Sequence, residues 1–153
     1  MWLDGPNSCR CLDDIMSGTP LDHESIGDMI KNSPHLLEGF LSLDRQLQPN
    51  GFDLTVRTVA RLTNPGAIGK EDSERVLSEP EVIAFGPDGW LHLEPGSYLS
   101  TFNEVVNLPL DVMAFGRPRS SLLRSGVSIH TAVWDAGYQG RSQALLVIYH
   151  PNG

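Results

Sequence analysis

The chain has 153 residues, enough for one domain with a hydrophobic core, and its hydrophobic content of 40% is that of a soluble globular protein. Its 11 lysines and arginines against 19 aspartates and glutamates give a formal net charge of −8, which argues against nonspecific binding to nucleic acid. No apolar run approaches the roughly 20 residues that a membrane-spanning helix needs and no signal peptide is evident, so we predict a cytoplasmic protein without a membrane partner.

The first 20 residues are rich in turn formers and lack a clear periodicity, which indicates an extension outside a single domain at 21–153. Both cysteines of the chain, Cys9 and Cys11, lie in this extension. A Cys-x-Cys pair without further cysteines is a weak metal signal, and thiols stay reduced in the cytoplasm. We therefore predict free thiols rather than a zinc site.

A short helix is predicted over residues 22–32. Asp22 is a candidate N-cap, and Pro34 follows soon after the predicted end. One helical face carries three apolar residues, Ile26, Met29 and Ile30. This spacing is typical of an amphipathic helix.

The first strand region follows a turn at 48–51, where proline, asparagine and glycine lie together. Residues from Phe52 onward alternate between apolar and polar, and we expect the strand to continue to about Leu62. Asp53 lies on the polar face at the start of this strand. An aspartate that leaves a turn is common, so the residues alone leave open whether Asp53 is structural or functional.

Short strands separated by turns continue along the chain. Residues 63–80 form a polar connector, which predicts a loop. Residues 81–85 and 90–93 predict a hairpin across the turn at 86–89, and 98–106 predict another strand. Many short strands at this spacing indicate an all-β barrel or sandwich.

The stretch GRPRSSLLRSG at 116–126, hereafter the serine motif, combines features that suit an anion. Pro118 fits the first position of a helix, and Ser120 or Ser121 can cap the turn that follows. Hydroxyls and free backbone N–H groups at a helix start form a natural phosphate site, and guanidinium groups match phosphate oxygens. The candidate residues are Arg119, Ser120, Ser121 and Arg124, with Gly126 letting the chain leave the helix in a left-handed conformation. A capped surface helix with solvated arginines explains the same residues, and both interpretations stay open at this point.

A hairpin is predicted over residues 127–149. Alternating β-branched residues at 127–133 indicate one strand, and 142–149 indicate the returning strand. The glycine-rich turn between them opens at Asp135 and carries Tyr138. The open edges of a hairpin can read the edge of a flat base, Tyr138 can pack on a sugar, and Asp135 can hold a water or a sugar hydroxyl. An ordinary hairpin, in which Asp135 only forms the turn, is the alternative.

Taken together, PRSSLLRSGV and WDAGYQG resemble the trimeric dUTPase and dCTP deaminase superfamily, and the pair is more specific than either half. The turn and strand at 48–54 resemble the family's first motif, with Asp53 at its acidic position. Residues 93–109 resemble the strand pair that precedes the family's serine motif. The resemblance runs from about Leu21 to Gly153 and does not cover the first 20 residues.

This resemblance implies an all-β fold of the β-clip type, a distorted jelly-roll-like barrel, here with a short N-terminal helix. It implies a homotrimer with active sites between subunits, and a deoxynucleoside triphosphate substrate bound with Mg²⁺. For the dUTPase branch the substrate is dUTP, which is hydrolysed to dUMP and pyrophosphate. The chain is then expected to be an enzyme, a dUTP diphosphatase, with neither nucleic acid nor a membrane as a partner.

Residue roles follow from the same resemblance. Phosphate contacts carry over to Ser120 and Arg124, and the substrate-binding set also includes Arg119, Ser121, Gly126 and Gln139. Asp135 is implied as the catalytic residue, because the matching aspartate positions the attacking water in dUTPases. Tyr138 is implied to pack on deoxyribose and to disfavour a 2′-hydroxyl. Asp53 is implied to help organise the metal and phosphate region, as an indirect metal candidate.

Deaminases of this superfamily are expected to carry a glutamate five residues past the last glycine of the hairpin turn, where it moves protons during water attack on cytosine. In this chain that position is Leu145, and the run 142–149 has no carboxylate. Deamination then lacks a proton carrier near the base, whereas pyrophosphate release needs a held water, an in-line phosphate and Mg²⁺. The sequence favours dUTP hydrolysis, with dCTP deamination, alone or in a bifunctional enzyme, as the first alternative.

The chain ends at Pro151-Asn152-Gly153, which is itself a hairpin turn signal. The resemblance implies a further strand with an Arg/Gln motif and a glycine-rich C-terminal arm with an aromatic residue, and these residues contain neither. The domain at 21–153 is therefore expected to lack its C-terminal strand and arm, as a fragment would. A non-catalytic nucleotide-binding β-clip module is the second alternative.

Overall fold

The computed structural model describes residues 18–153, so the predictions for Cys9 and Cys11 and for most of the N-terminal extension lie outside the described residues. The described part is mostly β-structure. Its helices are α1 (His23–Lys31), α2 (Leu43–Gln46) and α3 (Ser120–Arg124). Its strands are β1 (Leu37–Glu38), β2 (Leu47–Gln48), β3 (Gly51–Phe52), β4 (Val56–Leu62), β5 (Pro80–Ile83), β6 (Gly96–Asn107), β7 (Val127–His130) and β8 (Gln139–Ile148).

Strand β6, which is 12 residues long, lies at the centre of the main sheet. It pairs antiparallel with β8 along one edge, and with β4 and then β1 along the other. The order is β5-β4-β6-β8-β7, while β2 and β3 form a separate ribbon. The all-β class is thus confirmed, although the strands of residues 18–153 form an open path rather than a closed barrel. No helix in this part of the chain is long and apolar enough to cross a membrane.

Helix α1 forms as predicted. The Asp22 carboxylate accepts a hydrogen bond from the Ser25 N–H at 2.9 Å and so caps the first turn. Hydrogen bonds from the Ser25 side chain and backbone lower the pKa of the Asp22 carboxyl. Ile26 and Ile30 are buried, as the apolar face requires.

The core lies under β6, whose side chains alternate between the buried face and the opposite face. A first core joins β6 to α1 and to the hairpin, and its buried residues are Ile26, Ile30, Leu36, Leu37, Phe102, Val106, Leu108, Trp134 and Ala144. A second core lies under the other half of β6 and consists of Val59, Tyr98, Leu146 and Ile148. Two polar residues, Ser100 and Glu104, share the buried face of β6 with these apolar side chains.

The prediction of a hairpin across residues 81–93 is wrong. Strand β5 pairs with β4, with Val59 opposite Ile83, and the second half of the predicted hairpin is not a strand. The edge of β4 supplies the backbone partners that β5 needs. Leu91 and Leu93 instead become partly buried by packing on the second core, so their alternating pattern reflects burial without a ladder.

The strand predicted from residue 52 to Leu62 is interrupted. β3 ends at Phe52 and β4 begins at Val56, and residues 53–55 lie between them. The backbone of this segment is held partly by other backbone groups, since the Asn103 N–H of β6 donates to the Thr55 carbonyl at 2.9 Å, and partly by the side chains of Gln46 and Glu104. The strand predicted at 98–106 is confirmed as β6. The connector at 63–80 is confirmed as a loop, apart from a 3₁₀ turn at Asp72–Glu74 and its last residue, Pro80, which begins β5.

The register of β8 yields a prediction that two neighbouring leucines can test. Leu146 is 8% exposed in the second core, whereas Leu145 is 36% exposed on the opposite face. Leu146→Ala removes buried methyl groups and should lower the free energy of unfolding by about 2–5 kcal/mol. Leu145→Ala is the matched control and should change it by under about 1 kcal/mol. Chemical denaturation of both variants measures the difference, and equal losses would contradict this register.

Candidate functional site

The serine motif forms the short helix α3, but its cap differs from the prediction. The N-cap residue is Arg119, with an extended backbone, and it makes no side-chain capping hydrogen bond. Ser120 and Ser121 are the first two helical residues and are exposed, so neither is the cap. Pro118 precedes the cap rather than occupying the first helical position. The serine hydroxyls therefore lie in the first turn, where backbone N–H groups lack intrahelical acceptors.

Gly126 ends this segment as predicted. Its φ is +72°, and its carbonyl accepts a hydrogen bond from the Tyr149 N–H at 2.8 Å. A Cβ at this position would lie 3.1 Å from the Cβ of His150. Glycine is thus required both for the left-handed turn and for the close approach of the chain that follows β8. The contact fixes α3 against the open end of the β7–β8 pair.

An ion pair joins the serine motif to the first motif. The Arg119 Nη1 donates to Asp53 Oδ2 at 2.6 Å, although the two residues are 66 positions apart in the chain. The Arg119 side chain is 66% exposed and the Asp53 side chain 23% exposed. Because the pair is partly solvated, it contributes only about 0–1 kcal/mol to stability, and its main effect is to hold the Arg119 guanidinium at Asp53.

The C-terminal hairpin is confirmed, with a longer loop than predicted. β7 ends at His130 rather than Val133, and residues 131–138 leave the ladder. Trp134 instead forms an isolated antiparallel bridge with Ala114, and its Nε1 donates to the Ser142 hydroxyl. The loop is thereby tied to the segment that leads into the serine motif.

Asp135 follows the buried Trp134 and is itself exposed. Its carbonyl accepts a hydrogen bond from the Tyr138 N–H at 3.0 Å, and Gly137 between them has a φ of +80°. This is the turn chemistry that the sequence predicts. The Asp135 carboxylate makes no hydrogen bond or ion pair with any side chain or backbone group of residues 18–153. It is therefore fixed at the backbone and free at the side chain.

Tyr138 and Gln139 continue from this turn. Tyr138 is half-buried against the first core, and its carbonyl accepts a hydrogen bond from the Leu108 N–H at 2.8 Å. Gln139 is exposed and begins β8 opposite Asn107. Part of the tyrosine ring is thus a packing surface, and the exposed part remains available to a ligand.

A cavity of about 310 Å³ lies between the start of the serine motif and the C-terminal hairpin. None of the ligand-contacting residues predicted from the sequence lines it. Its walls come from the start of the serine motif and from the hairpin, and they consist of Phe115, Gly116, Arg117, Ile129, His130, Thr131 and Val133. A Cβ on Gly116 would lie 2.8 Å from the Thr131 side chain, so the two walls meet closely at this point. The glycine that opens the serine motif is the signal in the sequence that could have indicated these residues.

The predicted site residues thus fall into two groups. Asp53, Arg119 and the serines lie together at α3, and Asp135, Tyr138 and Gln139 lie together on the hairpin. Within residues 18–153 no hydrogen bond or ion pair links the Asp135 carboxylate to Arg119 or to the serines. The segment 108–116 connects the groups, because it bonds to the hairpin at Leu108 and Ala114 and then enters the serine motif.

A family model described as dCTP deaminase-like matches residues 21–152. The chain therefore belongs to the dCTP deaminase-like family. In fold, it is similar to the crystal structure of 2'-deoxycytidine 5'-triphosphate deaminase from Agrobacterium tumefaciens, with a TM-score of 0.55 over 84% of this chain and 42% of that one. The identity between the two is 19%, so this likeness concerns the fold alone.

Three relatives found by sequence comparison carry the same name. A protein of Methanococcoides burtonii named probable deoxyuridine 5'-triphosphate nucleotidohydrolase is 42% identical over 135 residues, which is 88% of this chain and 79% of that protein. A protein of Methanosarcina mazei with the same name is 44% identical over 133 residues, 87% of this chain and 78% of that protein. One of Archaeoglobus fulgidus is 45% identical over 118 residues, 77% of this chain and 69% of that protein.

The glycine that ends the serine motif offers a test of this local geometry. Gly126→Ala should lower the free energy of unfolding by about 1–2 kcal/mol, because alanine resists a left-handed conformation and its Cβ meets His150. Gly51→Ala is the matched control, since a Cβ there meets nothing within 4 Å. It should leave stability unchanged or raise it by up to about 1 kcal/mol. Thermal denaturation distinguishes the two, and a Gly126→Ala protein as stable as the wild type would contradict the assigned turn.

Proposed function

We propose that this chain hydrolyses dUTP to dUMP and pyrophosphate. The identity of 42–45% to proteins named probable dUTP nucleotidohydrolases, over most of the chain, is the observation that carries the proposal. The reaction cleaves the anhydride between the α- and β-phosphates and adds water across it. It requires a phosphate grip, a held water and a pocket for the nucleoside.

The residue at position 145 supports hydrolysis over deamination. Leu145 lies on β8 directly opposite His130, which lines the cavity, so position 145 is next to the cavity wall. An apolar residue there cannot carry a proton to or from a base. Phosphoanhydride hydrolysis does not need a proton carrier at that place.

The phosphate grip is assigned to the serine motif. The hydroxyls of Ser120 and Ser121 and the first-turn N–H groups of α3 bind phosphate oxygens as neutral donors. Arg119 and Arg124 add charge-assisted donors, and Gly126 keeps the chain close to α3. In this assignment Asp53 holds the guanidinium of Arg119 in position for the phosphates.

We assign the binding of the attacking water and of the nucleoside to the C-terminal hairpin. Asp135, exposed and without a side-chain partner in residues 18–153, accepts a hydrogen bond from the attacking water and orients it toward phosphorus. The exposed part of the Tyr138 ring packs on deoxyribose, where a 2′-hydroxyl would be crowded. Gln139 and the hairpin backbone read the base, and the cavity beside His130 receives the part of the nucleotide that lies between the two groups.

A divalent ion, Mg²⁺ in our proposal, accompanies the triphosphate. Mg²⁺ is commonly held by one or two carboxylates together with substrate phosphates rather than by an all-protein cage. Asp53 fits this mode, because its ion pair with Arg119 engages Oδ2, while Oδ1 has no hydrogen-bond partner within residues 18–153. Asp53 is the residue that would hold the ion, directly or through water. When bound, the ion neutralises charge on the phosphates.

The active protein is proposed to be a homotrimer built from one domain at 21–153 of each copy. The division of the predicted residues into two groups supports a site shared between copies. Large apolar side chains around these groups are exposed, among them Leu110, Met113, Phe115, Leu123 and Val133. Such a set marks a surface that another protein surface covers.

Light scattering of the purified protein should therefore give a mass three times that of the chain. The reason is that burial of these apolar side chains between copies supplies the association free energy. A monomer that turns over dUTP at full rate would contradict the shared site.

The assignment of Asp135 predicts a specific loss. Asp135→Asn should lower dUTP turnover by about a hundredfold or more, because the water is no longer held by a carboxylate. Affinity for a non-hydrolysable dUTP analogue should stay within about threefold, since no phosphate contact changes. Asp28→Asn, an exposed aspartate on α1, is the matched control and should turn over normally.

Product analysis with dUTP and dCTP, each with Mg²⁺, tests the reaction itself. Pyrophosphate from dUTP without ammonia from dCTP is the expected result. Ammonia from dCTP would overturn the inference that Leu145 excludes deamination, and it would favour the deaminase alternative. Analogue binding without any turnover would instead favour a nucleotide-binding module.

A further inference from the structure

Glu104 is an acidic residue in the core, which calls for a physical reason. It is fully buried, with 0% of its surface exposed, on the same face of β6 as Phe102 and Val106. Burying a carboxyl group costs several kcal/mol unless hydrogen bonds compensate it. Within residues 18–153 it forms no ion pair. An apolar residue would satisfy the packing of this face, so packing alone does not account for a glutamate here.

The carboxyl group of Glu104 accepts three hydrogen bonds, all from residues near Asp53. Oε2 accepts from the Thr55 N–H at 2.9 Å. Oε1 accepts from the Thr55 hydroxyl at 2.7 Å and from Gln46 Nε2 at 2.7 Å. Both oxygens act only as acceptors, and their donors come from the interrupted stretch between β3 and β4 and from the helix before it.

Gln46 extends this contact to the peptide of Asp53. The side-chain Nε2 of Gln46 donates to the Asp53 carbonyl at 2.8 Å as well as to Glu104. The backbone carbonyl of Gln46 accepts a hydrogen bond from the Asp53 N–H at 2.8 Å. The side-chain Oε1 accepts from the N–H groups of Leu41 and Ser42, so the amide of this buried residue is fully engaged. Both backbone polar groups of Asp53 are thus held by one residue that Glu104 fixes in turn.

The side chain of Asp53 is the part of this segment that reaches the site. It binds Arg119, the N-cap residue of α3, at 2.6 Å. Hydrogen bonds of 2.9 Å or less therefore link Glu104 to Gln46 and Thr55, Gln46 to the backbone of Asp53, and the Asp53 side chain to Arg119. Segment 53–55 lies outside the named strands, although its Thr55 carbonyl accepts a hydrogen bond from the Asn103 N–H of β6 at 2.9 Å. The side chains of Gln46 and Glu104 supply the partners of the Asp53 carbonyl and of the Thr55 N–H.

We propose that Glu104 is a positioning residue for the phosphate grip, which acts by fixing Asp53 and, through it, Arg119. The proposal rests on the proposed hydrolysis of a nucleoside triphosphate. Its basis is specific to a carboxyl group: three donors converge on Glu104, and a carboxamide would present an N–H group to at least one of them. A glutamine here leaves two donors facing each other, and segment 53–55 shifts to relieve them.

The experiment combines Glu104→Gln with Arg119→Ala and measures kcat and KM for dUTP. Glu104→Gln should raise KM by roughly 10- to 100-fold, the equivalent of one charge-assisted hydrogen bond to a phosphate, with a smaller change in kcat. In the Arg119→Ala background the same substitution should add less than about threefold, because its effect passes through that arginine. A purely structural role would give multiplying effects in the double variant and would overturn the proposal.

Ser100→Ala is the matched control. Ser100 is also fully buried on this face of β6, and its hydroxyl is without a hydrogen-bond partner within the described residues. Its loss should leave KM unchanged. Thermal denaturation shows whether Glu104→Gln folds, and Thr55→Val replaces it if it does not. Thr55→Val removes one donor to Glu104. It should raise KM in the otherwise wild-type protein but not in the Arg119→Ala protein.

Pyrophosphate affinity, measured by calorimetry on the same proteins, separates the two levels of inference. A wild-type protein that binds pyrophosphate but does not hydrolyse dUTP would refute the proposed function. The loss of pyrophosphate affinity in Glu104→Gln would still support the positioning role. Unchanged pyrophosphate affinity in that variant, or none in the wild type, would overturn it.

Discussion

The hydrogen bonds of Glu104 are the constraint on which the candidate phosphate site depends. β6 pairs with β1, β4 and β8, so its alternation decides which side chains enter the core. At residue 104 that alternation buries a carboxyl group, which must find donors. The donors available belong to residues 46 and 55, on the chain that leads into β4. Sheet geometry and the cost of an unpaired polar group together fix the segment that carries Asp53.

The ion pair at the end of this chain is informative because it is weak as a source of stability. A partly solvated pair of this kind contributes about 0–1 kcal/mol, so it adds little to the stability of the fold. Its effect is geometric, since it fixes the guanidinium of the residue that caps the helix bearing Ser120 and Ser121. The buried part of the network supplies rigidity, and the exposed part presents the chemistry. On the hairpin the division is similar, with Trp134 buried and the adjacent Asp135 exposed.

Local signals in the sequence were sufficient for elements whose stabilisation is local. Helix α1 follows from a cap and an apolar face, and the left-handed exit at Gly126 follows from the only residue type that adopts it freely. The prediction of a hairpin at 81–93 was wrong because the alternation of Leu91 and Leu93 reflects burial, and a loop packed on a core can bury alternate residues as a strand does. The prediction that Ser120 or Ser121 caps α3 was wrong for a related reason. A serine is an N-cap only if the helix begins at the next residue, and here the helix begins at Ser120 itself.

Longer-range features could not be predicted from local patterns. The resemblance placed Asp53 and Arg119 in one region, but their contact spans 66 positions and depends on Gln46 and Glu104, which have no motif of their own. In the sequence Glu104 is one polar residue in an alternating strand, and nothing indicates that it lies on the buried face. Only the pairing of β6 with β4 reveals this, because it sets the register that brings residues 55 and 104 together.

Position 145 shows how strand register connects the family resemblance to chemistry. It lies opposite His130, and cross-strand neighbours have Cβ atoms about 4.5–5.5 Å apart, so a side chain at 145 is a neighbour of one residue of the cavity wall. β8 exposes residues 141, 143 and 145 on one face and buries 142, 144 and 146 on the other, so a carboxylate at a neighbouring position would point into the core. Of the three exposed positions, 145 is the one paired with His130, and here it is a leucine. In the proposed function the chemistry is at the phosphates, with donors assigned to the serine motif and the orientation of the water assigned to Asp135.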